Sequence, residues 1–151
     1  MESRLSKFKK TITKYSRLAL DTPCLLYYIE KNPKYLKLAE IIFEQRLLTG
    51  RGEIIASTLL LTEILIRPIA QNLPGLALDY KSVISKNILL YPLSEEIAEK
   101  AAYLRARYKF ATPDAVHIAT AIEEGATAIV GNDKKWKRVK EIKTITLDEF
   151  C

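Results

Sequence analysis

The chain has 151 residues, 48% of them hydrophobic and 28% charged, with only two cysteines and one histidine. That is one domain of ordinary soluble composition, large enough to bury a core without staples. Cys24 and Cys151 form no spacing motif, and His117 stands alone; this excludes a disulfide framework, a zinc knuckle and chemistry needing two imidazoles.

The net charge of +6 is unevenly placed. Residues 1–17 hold six basic side chains against Glu2, a local excess of +5; the rest of the chain carries only +1. Residues 1–16 are therefore expected to form a basic, loosely ordered, flexible arm, with the domain proper at 17–151. No signal-peptide core and no stretch of transmembrane length is visible, and a cytoplasmic location is expected.

Arg17–Leu20 is a short apolar run that predicts a buried strand ending at Asp21. Thr22-Pro23 then predicts a helix start, with threonine as N-cap and proline in the first turn. A second helix is expected over 34–48, with Leu36, Ala39, Ile42, Phe43 and Leu47 on one face. Glu53–Ala56 predicts the second strand. The helix after it, capped by Ser57 or Thr58, is expected to run to about Arg67 and to be disrupted by Pro68. A helix follows Pro74, and Ile88–Tyr91 predicts the third strand. Ser94 opens a helix with Glu95, Glu96 and Glu99 in its early turns, favourable to the helix dipole. Thr112-Pro113 opens another, ending near Glu124-Gly125. Thr127–Val130 and Thr144–Leu147 predict the last two strands. Strands alternating with helices imply an α/β domain with a parallel sheet covered on both faces.

In such a fold helix N-termini and strand C-termini share one edge, where open α/β sheets bind ligands. Asp21 and Asp133 follow the first and fourth strands, Asp114 lies in a first helical turn, and Glu63 lies one to two turns into the helix after strand two. All four can reach one crevice. Glu63 is the only charge among the thirteen residues from Ile54 to Ile66. A carboxylate in apolar surroundings is costly unless something neutralises it; a cation would do so, and so would an i,i+4 pair with Arg67. Singly, Asp21, Asp114 and Asp133 have ordinary readings as helix-start or turn residues. Jointly they suggest a hard-oxygen site suited to Mg²⁺ or Mn²⁺.

The segments LDTPCLLYYIE (20–30), ASTLLLTEIL (56–65) and TPDAVHIATAIEEGATAIVGND (112–133), with Trp136 after them, resemble the PIN-domain family, most closely its VapC-type toxin ribonucleases. The resemblance runs from about residue 17 to the C-terminus. It implies a sheet of about five parallel strands and an acidic crevice binding Mg²⁺ or Mn²⁺. It also implies metal-dependent hydrolysis of phosphodiester bonds in RNA, an antitoxin partner and a homodimer. Asp21, Glu63, Asp114 and Asp133 match the family's acidic positions, with Thr22 and Asn132 as auxiliaries. Gly131 departs from the family, which often has threonine or serine there. Trp136 is read as core packing, and His117 as packing or bonding within its own helix. Arg105, Arg107, Lys109, Lys134 and Lys135, with Lys137 and Arg138, are candidates for holding an RNA backbone. Two rivals remain at this stage. A receiver-like signalling domain would need a lysine at a later strand end and would leave Glu63 unexplained. A catalytically weak or inactive PIN-fold RNA-binding or scaffold module would keep the fold without the reaction.

Overall fold

A computed structural model describes residues 1–50 and 52–151, with the backbone alone at 45–49. Five strands, β1 (Arg17–Leu20), β2 (Glu53–Ser57), β3 (Leu89–Tyr91), β4 (Ala128–Gly131) and β5 (Lys143–Thr146), form one sheet in the order β3-β2-β1-β4-β5. Every pairing is parallel. Among the described residues seven α-helices flank it: α1 (Arg4–Thr13), α2 (Thr22–Ile29), α3 (Leu36–Thr49), α4 (Leu59–Ala70), α5 (Pro74–Asn87), α6 (Glu95–Tyr108) and α7 (Thr112–Glu123).

The period-2 alternation of strand side chains divides the core into two layers. Leu18, Leu20, Ile54, Ala56, Ala128 and Val130 face one layer, packed with Leu25, Ile42, Phe43, Leu60 and Tyr80. Ala19, Ile55 and Ile129 face the other, packed with Ile97, Leu104, Ala115, Ile118 and Trp136. Trp136 is thus core, as expected. On α3, Ala39, Ile42 and Phe43 are buried as expected, joined by Leu38; the expected Leu47 lies outside the described side chains.

The N-terminal segment differs from its expectation. Residues 4–13 form α1, capped by Ser3, whose hydroxyl accepts the Ser6 N–H. Phe8 and Ile12 are fully buried, and the Phe8 ring meets Phe150 edge-on at 5.0 Å. Two such side chains, each worth about 1.5–3 kcal/mol of burial, anchor a helix whose other faces are charged. Two smaller differences concern helix ends. Asp21, rather than Thr22, is the N-cap of α2. Pro68 lies inside α4, buried, two residues before its end. So near the C-terminus it costs one intrahelical hydrogen bond, and packing carries the helix past it.

The strand order places the site. The chain begins at the sheet centre, winds outward through β2 to β3, and returns through α6 and α7 to β4 on the other side of β1. The connections from β1 and β4 therefore leave in opposite directions, which opens a crevice beyond their carboxyl ends.

Candidate metal centre

Asp21 directly follows β1 and Asp133 follows β4, so the two flank that crevice. The Asp21 N–H continues the ladder to the Val130 carbonyl at 2.9 Å. Its carboxylate Oδ1 accepts the Thr22 N–H at 2.8 Å and caps α2. Asp114, in the first turn of α7, closes a third side. A cleft of about 600 Å³ lies between them, lined by Asp21, Asp114, Asp133, Asn132, Lys134 and Lys135 among others.

Electrostatically the acids behave as a crowd. Asp21 is 8% exposed. Burial pushes its carboxyl up to about 6, with the Glu63 and Asp114 charges adding to the rise and His117 and the Thr22 N–H opposing it. Asp114 is raised too, by burial first and then by Asp133, against His117 and Lys135. Carboxyls held above their ordinary range by burial and by one another are what a cation would relieve. The donor set is all oxygen, which suits Mg²⁺ or Mn²⁺. As the side chains stand, no three His, Cys, Asp or Glu groups among the described residues converge closely enough to hold an ion. Filling the site therefore requires side-chain rotation. Asp133 Oδ1 accepts the Lys135 N–H at 2.9 Å.

Glu63 stands apart. It does not line the cleft, and the alternative pair with Arg67 is absent. Arg67 instead bonds Glu30 at 3.0 Å and the Tyr80 hydroxyl at 3.1 Å. Glu63 Oε1 accepts the Thr22 hydroxyl at 2.8 Å and a short contact from His117 Nε2. The His117 bond, helped by Thr22, holds the Glu63 carboxyl below its ordinary value despite burial. Glu63 therefore does not need a cation for want of a partner, as its apolar surroundings suggested: the chain supplies two donors. His117 reaches across to α4 rather than bonding within α7. Its signal in the sequence was its place three residues after Asp114, on the same helix face.

The auxiliary and basic positions divide. Thr22 touches Glu63. Asn132 ties the end of β4 to two neighbours, accepting the Asp148 N–H at 3.0 Å and reaching the Tyr27 hydroxyl at 3.4 Å. Arg105 is turned inward to the Phe110 carbonyl at 3.0 Å, and Arg138 to the Tyr108 carbonyl at 2.8 Å. Arg107 bonds the Tyr103 hydroxyl, Lys137 pairs with Glu149, and Lys109 is the left-handed residue ending α6. Of the basic candidates, Lys134 and Lys135 line the cleft. Gly131 lies beneath Asp21: a Cβ there would sit 3.4 Å from the Asp21 Cβ and 3.6 Å from its Oδ2, ordinary contact distances.

Among the described residues, no helix is long and apolar enough to cross a membrane. No curated protein sequence matches the chain. Among solved structures, VapBC2 from Rickettsia felis bound to a DNA fragment from their promoter is similar with a TM-score of 0.69 and 18% identity, covering 86% of this chain and 98% of that one. A toxin-antitoxin complex from Klebsiella pneumoniae is similar with a TM-score of 0.66 and 19% identity, covering 86% and 97%. The PIN domain family matches residues 18–142, and with its five-stranded parallel sheet the chain belongs to that family.

Proposed function

We propose that the protein is a divalent-metal-dependent endoribonuclease, the toxin of a VapBC-type toxin-antitoxin pair. The observation that carries the reading is the meeting of Asp21, Asp114 and Asp133 around one cleft, with the first two carboxyls held high by burial and by neighbouring acids. The site's all-oxygen donors favour Mg²⁺ or Mn²⁺. A bound ion would acidify water for attack on phosphorus and offset charge building on the phosphate. Asp21 and Asp114 would be its central ligands, with Asp133 joining after side-chain rotation and Glu63 completing the set. Lys134 and Lys135, exposed at the rim, would hold backbone phosphates of the substrate.

The antitoxin partner is supported by the likeness to two toxin-antitoxin assemblies. Self-association would use apolar surface outside the core. The helical leucines Leu25 and Leu60 are spent on the core, whereas Ile66 and Ile69 at the end of α4 are exposed. A cytoplasmic location fits an RNA-cleaving toxin.

The test is cleavage of single-stranded RNA by purified protein with Mn²⁺ or Mg²⁺, against EDTA. Asp21→Asn and Asp114→Asn should each abolish cleavage while leaving the circular dichroism spectrum unchanged. Cleavage undiminished in EDTA would sink the metal role. RNA binding without cleavage under any metal would favour the second reading, a PIN-fold RNA-binding or scaffold module, which the present spread of the carboxylates would then explain.

A further inference from the structure

His117 lies in a buried, mostly apolar stretch of α7. Every residue from Ala115 to Ala121 on α7 is buried, and His117 is 3% exposed. The other polar side chain in that run, Thr120, is satisfied within the helix by the Val116 carbonyl at 2.7 Å. His117 is not: its Nδ1 is buried with no hydrogen-bond partner. The imidazole therefore carries an unsatisfied polar atom into the core, and its hydrogen bond to Glu63 is the contact that a leucine there could not make.

That bond has a specific geometry. A carboxylate only accepts, so Nε2 carries the proton that it shares with Glu63. Thr22 donates to the same oxygen from α2. Both donors grip Oε1, and no hydrogen bond within the described residues engages Oε2. The donors are also attached to the cleft acids: Thr22 follows Asp21 in the chain, and His117 lies one helical turn after Asp114. One atom of Glu63 thus joins α2, α4 and α7 and registers its carboxylate against two of the acids that line the cleft.

We infer that His117 is a positioning residue: with Thr22 it clamps Oε1 of Glu63 and leaves Oε2 as the oxygen offered to a divalent cation. The inference rests on reading the acid cluster as a cation site. Residues that orient metal ligands in this way typically change metal affinity or activity by about 10- to 100-fold when removed.

The experiment compares wild type with His117→Leu, His117→Gln and Thr22→Val in the full chain. Leucine fills the space without a donor, and glutamine restores an N–H. Mn²⁺ affinity is read by calorimetry and by electron paramagnetic resonance of free Mn²⁺, alongside RNA cleavage across a Mn²⁺ series. His117→Leu should weaken Mn²⁺ binding by about 10-fold or more, His117→Gln should recover most of the loss, and Thr22→Val should resemble the leucine variant. The clamp is read separately, without metal, by long-range ¹H–¹⁵N NMR of the single histidine. The Nε2 resonance should shift in Glu63→Ala. An Nε2 resonance indifferent to Glu63 overturns the clamp itself. A clamp seen by NMR in a wild type that binds no Mn²⁺ overturns the cation reading instead, and with it the role given to Oε2. A folded His117→Leu that binds Mn²⁺ as the wild type does overturns the positioning role, as does a His117→Gln no better than leucine. If the leucine variant does not fold, the glutamine and Thr22→Val variants still decide.

Discussion

Replacing Asp21 by asparagine should make the protein inactive and more stable. The substitution keeps the shape of the side chain and an oxygen able to accept the Thr22 N–H, so the cap of α2 survives. What it removes is a charge that the fold disfavours. The folded carboxyl sits at about 6 against an ordinary 3.8. At 1.36 kcal/mol per pH unit, that difference is about 3 kcal/mol carried against folding once the group is ionised in both states. The sign follows from a folded value above the unfolded one. The wild type loses stability as pH rises from about 4 to about 6, the loss is complete by pH 7, and it is absent below 4, where both states hold the proton. Allowing for the new buried amide, Asp21→Asn should gain about 1–3 kcal/mol at pH 7 in EDTA, a rise of roughly 2–10 °C in Tm for a chain of this size. Urea and thermal melts at pH 4 and pH 7 measure it. A gap that is equal at the two pH values, or absent at pH 7, would refute the claim that Asp21 stores an uncompensated charge.

Phe8→Ala should cost about 3–5 kcal/mol in urea denaturation, because a fully buried ring is lost from the contact of α1 with Phe150; a cost below about 1 kcal/mol would return residues 1–16 to the status of a loose arm. Lys134→Ala with Lys135→Ala should lower the dependence of RNA binding on log salt by about 0.7 per lost phosphate contact, read by fluorescence anisotropy across a salt series. Gly131→Ser should fold normally, since its Cβ meets only ordinary contacts. Its hydroxyl beside Asp21 should raise cleavage by about 2- to 10-fold, the worth of one hydrogen bond, with single-turnover cleavage as the measure.

The sheet was legible because its signals are local. β1 falls on the residues expected, Arg17–Leu20, and the other strands within one or two, since each is a short apolar run bounded by turn or cap residues. α1 was hidden by composition: its charges outnumber its two anchors, and only the spacing of Phe8 and Ile12 marks the face that packs on Phe150. Pro68 falls in the last turn of α4, where proline disturbs a helix less than in its interior. In the site, the residues at strand ends and helix starts could be placed from topology alone. The partners of Glu63 could not. Thr22 and His117 lie 41 and 54 residues away in the chain, and Arg67, the local candidate, is drawn off by Glu30 and Tyr80.

The opposite shifts of Asp21 and Glu63 divide the labour in the cluster. Both are acids in apolar surroundings, and burial alone would raise both. Glu63 is lowered because His117 and Thr22 meet it with donors. Asp21 is raised because its one backbone donor does not offset burial among like charges. Glu63 is therefore ionised and oriented before any ligand arrives, whereas Asp21 near neutral pH sits close enough to its titration to exchange a proton for a cation. Binding at such a site should release protons from Asp21, at about 6, and not from Glu63. Mn²⁺ titrations at pH 6 in buffers of different ionisation enthalpy would count them. The count should fall toward zero by pH 8, where Asp21 is already ionised. A proton release that persists undiminished at pH 8 would mean that the cation enters somewhere other than beside Asp21.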